Sequence, residues 1–176
     1  NEKGSIFRPV PRDRDQVFFK FDGLLPYLFN RKWGMRQIRN FGHNYSDIVG
    51  LTMQGTHLDR NLLNELTYEE WMAIADSVKI LLTDEVIEEG VRQMPAPAVA
   101  ISGGEIIEKL KSRRDQIDRA AERYYHILAE EVDIVGSDKH EFVHIERLDN
   151  RFTRVQVYKM FKDREVDKLV YDRTFD

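Results

Sequence analysis

Apolar residues recur at helical spacing through the middle of this chain and alternate near its end. Trp71, Ile74, Ala75, Val78, Leu81 and Leu82 fall on one 3.6-residue stripe, which predicts a helix from about 68 to 82. Thr67 and Glu70 ahead of it have the spacing of a capping box, in which hydroxyl and carboxylate satisfy each other's free backbone amides. Thr83, followed by Asp84 and Glu85, predicts a second helix start, with the acids at the positive end of the dipole. Pro95 and Pro97 should stop that helix near Met94. Ser102-Gly103-Gly104-Glu105 reads as another capping box, and Ile106, Leu110, Ile117, Ala120, Ala121, Tyr124 and Leu128 predict one long helix from about 103 to 131. Arg113-Arg114 interrupt its apolar stripe.

Gly136-Ser137-Asp138 closes the helical region, and three runs, 140 to 148, 152 to 161 and 166 to 175, read as strands. Asp149-Asn150 and Asp163-Arg164 supply hairpin turns between them. In the middle run, Phe152, Tyr158 and Met160 oppose Val155 and Val157, so both of its faces should be covered. Near the start, Pro9, Pro11 and Val17-Phe18-Phe19 predict an extended lead-in and then a short strand or turn, with a turn at Asp22-Gly23. From 24 to 55 no period is sustained, and one helix is placed within 31 to 41. The fold class is therefore α+β, a mostly helical body followed by a C-terminal antiparallel β-meander. The expected division is 1–132, lead-in plus helical domain, and 133–176, three-stranded meander.

Composition narrows the function. At 176 residues, 41% hydrophobic and 33% charged, the chain has globular composition and can bury a core without staples. With no cysteine it has neither thiol chemistry nor a thiolate zinc site. The net charge of −4 gives nucleic-acid binding no global support, and no apolar run is long enough to span a membrane. Charge is uneven: residues 1–60 hold ten Lys/Arg against six Asp/Glu, whereas 61–101 hold two against eight. The chain opens without an initiator Met, and we expect a piece of a longer protein whose remainder is its partner.

Candidate chemistry begins at Pro11-Arg12-Asp13-Arg14-Asp15-Gln16. In an extended segment, carboxylates two residues apart project to the same side and can share a divalent ion with phosphate oxygens. The same Asp13 and Asp15, flanked by arginines, also suit plain surface ion pairs. The run Val10 to Phe19 resembles the D-x-D metal loop of the spore-coat CotH kinase-like family, and Glu105 to Arg114 looks like the long helix near the end of that family's C-terminal lobe. A wider similarity, to the middle of large Bacteroidota cell-envelope proteins, rests on Asp-Gly-Leu-Leu-Pro (22 to 26), Arg-x-Trp-Gly-x-Arg-Gln (31 to 37), Leu-Asp-Arg (58 to 60) and Val-Gly-Ser-Asp-Lys (135 to 139). The kinase-like resemblance implies that Asp13 or Asp15 ligates magnesium bridging ATP phosphates. It lacks the family's upstream catalytic Asp, a Gly-rich phosphate loop and a nucleotide-binding Lys, which implies a segment inactive alone. The envelope resemblance implies a periplasmic or outer-membrane-associated setting.

Two other groupings bear on function. Phe29, Arg31, Lys32, Trp33, Arg36, Arg39, Phe41, His43 and Tyr45 interleave bases and rings, so Arg31, Lys32, Arg36 and Arg39 are candidate phosphate ligands, or else arginine stems packed across core rings. His140-Glu141-Phe142-Val143-His144 has the literal form of a zinc-hydrolase motif, which functions only on a helix. Here it falls in a predicted strand, where the two rings lie roughly 13 Å apart. A third possibility is a structural or interaction module with no site.

Overall fold

The computed structural model describes residues 17–20, 23, 36, 39–63, 66–134, 136–162 and 165–175. Its elements are α1 (Ile48–Thr52), α2 (Thr56–Leu63), α3 (Tyr68–Leu81), α4 (Asp84–Arg92), α5 (Ala96–Arg114), α6 (Ile117–Ala129), β1 (Glu141–Arg147), β2 (Thr153–Met160) and β3 (Val166–Phe175). Helices thus precede an antiparallel sheet of order β1-β2-β3, the α+β arrangement with a C-terminal meander. By backbone contacts the chain divides into two units: Asn1–Thr52 with Ala75–Ala120, and Met53–Ile74 with Ala121–Asp176. Helices α3 and α6 each supply residues to both.

In the first unit, Thr83 caps α4 as its spacing predicts, its hydroxyl accepting from the Val86 amide at 3.3 Å. The acidic face of α4 is not simply solvated. Asp84 and Glu88 pair with Lys111 at 2.9 and 2.7 Å, and Asp84 also receives Arg114 at 2.6 Å, so charged pairs run between α4 and α5. Ile87, Val91 and Ile106 are buried, and Gly103 is buried with them. A Cβ at Gly103 would meet Val99 Cγ1 at 3.0 Å and Val91 Cγ1 at 3.7 Å.

The long helix expected from 103 to 131 is instead two helices, α5 and α6, and begins earlier, at Ala96. Pro95 and Pro97 end α4 but open α5, since a helix's first turn leaves amides without partners and proline lacks one. Ser102 and Glu105 accordingly lie inside α5 and form no cap. The break at Asp115-Gln116 follows the two arginines, whose partners differ: Arg114 donates to Leu82 O and Asp84, while Arg113 stacks on the rings of Phe41 and Tyr45 at 5.0 and 4.2 Å. Gln116 Nε2 reaches His43 O at 3.0 Å and Ser112 O at 2.8 Å. Val17 and Phe18 form a turn, and Gly23 has φ of 123°, a conformation that favours glycine. No helix occupies Arg36 or residues 39–41, the described part of the one placed within 31 to 41.

In the second unit, the capping box of α3 forms in full: Thr67 N donates to Glu70 Oε2 at 2.8 Å, and Glu70 N donates to Thr67 Oγ1 at 3.2 Å. Trp71 Nε1 donates to Ala121 O at 2.9 Å, and the rings of Tyr68, Trp71, Tyr124 and Tyr125 pack between 5.3 and 6.2 Å apart. The β1–β2 turn is closed by Asp149, whose Oδ1 accepts from Arg151 N and Phe152 N at 2.7 and 2.8 Å. Central strand β2 buries Val155 and Val157, at 5% and 4% exposure, with its other residues at least half-covered except Lys159. In register, β2 aligns His144, Gln156 and Asp172 in one row, and Thr153 with Phe175 at the sheet's far end.

Candidate functional site

The end of the sheet where Thr153 pairs with Phe175 brings Arg151-Phe152 beside Arg173-Thr174-Phe175. Those five residues line a cavity of about 170 Å³ together with residues of α2, α3 and α6 and their flanks. Aliphatic walls come from Leu63, Leu66, Leu128, Ala129 and Val132, and rings from Tyr68, Trp71 and Tyr125. All of it lies within the second unit.

The charged lining is Arg60, Arg151 and Arg173 against Glu69 among the described residues. Arg151 lies over the Phe152 ring at 5.2 Å and Arg173 over Phe175 at 5.8 Å, so two guanidiniums rest on aromatic faces. Arg60 projects from α2 and is largely buried; it donates to Ile127 O at 3.0 Å through Nη2 and to Glu131 through Nη1. Its Nε is buried without a hydrogen-bond partner, a donor whose satisfaction a ligand would supply. Thr67 holds the Glu70 carboxyl below its usual range, through backbone and hydroxyl hydrogen bonds, and the charge of Arg173 adds to this. The lining thus sets guanidiniums beside rings and aliphatic side chains.

Asp13 and Asp15, the candidate metal pair, and Arg31 and Lys32 lie outside the described residues. Arg36 and Arg39 do come together, around Asp47: Arg36 donates through Nε and Nη2 at 2.7 and 2.8 Å, and Arg39 Nη2 at 3.1 Å. Asp47 is 5% exposed, and its Oδ1 also accepts from Gly50 N at 3.3 Å, capping α1. The Arg36 hydrogen bond chiefly, with the Gly50 amide and both cations, lowers its pKa to about 2 against its burial. These donors therefore face a resident carboxylate.

Residues 141–144 belong to β1, with His140 immediately before it, so the two histidines are not stacked on a helix turn. Glu141 accepts from Ser137 Oγ at 2.6 Å, and His144 Nδ1 lies 3.4 Å from Gln156 Oε1. Among the described residues no three His, Asp or Glu side chains gather as metal ligands. A second cavity, of about 330 Å³ in the first unit, is walled by Val86, Ile87, Val91, Leu110 and Ile117; of its two arginines, Arg113 stacks on Tyr45 and Arg114 pairs with Asp84. No helix among the described residues is long and apolar enough to cross a membrane.

The cavity residues escape a linear reading because they are spread from Arg60 to Phe175. The signal that could have found them is hairpin arithmetic. Strands 152 to 161 and 166 to 175 around a turn at 163–164 bring two Arg-Phe groupings, Arg151-Phe152 and Arg173-Thr174-Phe175, to one end. Comparison with family models, curated proteins and solved structures finds no match to the chain.

Proposed function

We propose that the chain is a non-catalytic binding module whose second unit takes an anionic group into the Arg60–Arg151–Arg173 cavity. One observation carries this reading: three guanidiniums against one carboxylate line a cavity that is otherwise built of rings and aliphatic side chains. Among the described residues, the lining combines arginines with rings and aliphatic side chains, which suits binding.

The setting we propose is a larger bacterial envelope protein, on the strength of the resemblance quoted above. Magnesium and ATP binding at Asp13 and Asp15 is a separate proposal, tested by calorimetry with Asp15→Ala. Equal heats for the two proteins would count against it.

The chain has two tryptophans, Trp33 and Trp71, so a Trp33→Phe background leaves Trp71, in the cavity wall, as the optical probe. Titration with phenylacetate and with phenyl phosphate should change Trp71 emission saturably, more weakly at higher salt, and not at all in Arg151→Gln/Arg173→Gln. A linear response, or the same curve in the double variant with its melting transition intact, would refute the anion pocket.

A further inference from the structure

We propose that β1 is a self-association edge, pairing antiparallel with β1 of a second copy about His144, so that two three-stranded sheets join into one. The strand order leaves β1 at an edge of the sheet. Met160 N donates to His140 O and Leu148 N to Phe152 O, which fixes the phase of the β1–β2 ladder. Phe142, His144 and Glu146 therefore turn their backbone groups toward β2, while those of Glu141, Val143, Ile145 and Arg147 point off the sheet. Among the described residues no strand meets them. Such an edge is a template for another strand, and natural edges are blunted by proline, lysine or bulges. β1 has none of these: its register with β2 runs unbroken from Glu141 to Arg147, and the irregularities of the sheet fall between β2 and β3.

The sequence of the edge selects the occupant. Registers that join outward backbone groups to outward backbone groups differ by one residue in their centre. Centred on His144, all seven residues pair, with Glu141 opposite Arg147 and Val143 opposite Ile145. Centring on Val143 sets Glu141 against Ile145, and centring on Ile145 sets Arg147 against Val143. Glu141 accepts from Ser137 Oγ at 2.6 Å, and Arg147 donates to Asp149 O and Asn150 O at 2.7 and 2.6 Å, so opposite charges with neutral hydrogen-bond partners stand at the two ends of the strand. Burial points the same way. Val155 and Val157 of β2 are 5% and 4% exposed, but their partners in register, Ile145 and Val143, are 65% and 48% exposed. Pairing about His144 brings Val143 and Ile145 of both copies into one apolar cluster continuous with those valines. On the other face Phe142 comes opposite Glu146, and His144 opposite itself. One strand edge is a small interface, so the association is reversible and concentration-dependent.

The chain has no cysteine, so a single introduced thiol can form a disulfide only with a second copy. His144→Cys puts two thiols in a pair whose Cα atoms lie about 4.5 Å apart, within disulfide reach, while Glu146→Cys holds them at least about 13 Å apart. Under mild oxidation His144→Cys should give a covalent dimer, and Glu146→Cys roughly tenfold less of it. Sedimentation of the parent chain over a concentration series should show a monomer–dimer equilibrium. Ile145→Lys, at an exposed position, should shift it to monomer with circular dichroism unchanged. Dimerisation that survives Ile145→Lys, or Glu146→Cys linking as readily as His144→Cys, would overturn the pairing. So would a parent chain that stays monomeric at every concentration, even one that takes up a strand peptide of another sequence.

Discussion

Asp47 shows how one carboxylate can organise a segment whose sequence has no period. It caps α1 through Gly50 N and draws in Arg36 and Arg39, none of which a 3.6- or 2-residue pattern could reveal. Its pKa of about 2 lies below the ordinary 3.8, so its contribution to stability is full above the ordinary value and disappears as pH falls through about 2. Asp47→Asn should cost about 2 kcal/mol near neutral pH, measured by urea denaturation, with the gap to the parent closing between pH 4 and 2. A pH-independent gap would mean that packing, not charge, sets the cost. Gly50 is fixed by the same cluster, since a Cβ there would lie 2.5 Å from Arg36 O and 2.9 Å from Asp47 Oδ2. Gly50→Ala should destabilise by roughly 1–3 kcal/mol, read in the same denaturation experiment, despite alanine's better helix propensity.

At the level of elements, the strands and the first long helix were legible because their apolar residues recur at regular spacing in the sequence. β3 matches its expected span, and α3 differs from its expected span by one residue. The α5–α6 break was not legible, because Leu110 and Ile117 keep helical spacing across it while the cause is tertiary, namely Arg113 and Arg114 held by different neighbours. The cap on α4 was legible, and Thr83→Ala should cost about 1 kcal/mol in thermal or chemical denaturation, because the Val86 amide loses its acceptor. Lys111→Met should matter far less than Thr83→Ala, and only at low salt, since both acids that it binds are at least 40% exposed. A loss several times larger, undiminished in high salt, would show that the pairs hold α4 on α5.

On the scale of the molecule, helices and meander come from local pattern, whereas the cavity comes from topology. Antiparallel pairing of β2 with β3 sets two Arg-Phe groupings side by side, and α2, α3 and α6 bring Arg60, Trp71 and Tyr125 to the same space. The interleaved bases and rings between 29 and 45 were the more visible grouping, yet Arg36 and Arg39 within it face Asp47. Contiguity in sequence is thus a poor guide to which cations share a cavity. The central claim is that Arg60, Arg151 and Arg173 receive one anion together. Nitrogen-edited NMR of arginine Nε–H groups, assigned by Arg→Lys changes one at a time, tests it most directly. Under titration with phenylacetate the three signals should move along one saturation curve, with Arg60 Nε shifting as it gains an acceptor. Three signals that stay still at saturating phenylacetate would contradict the account.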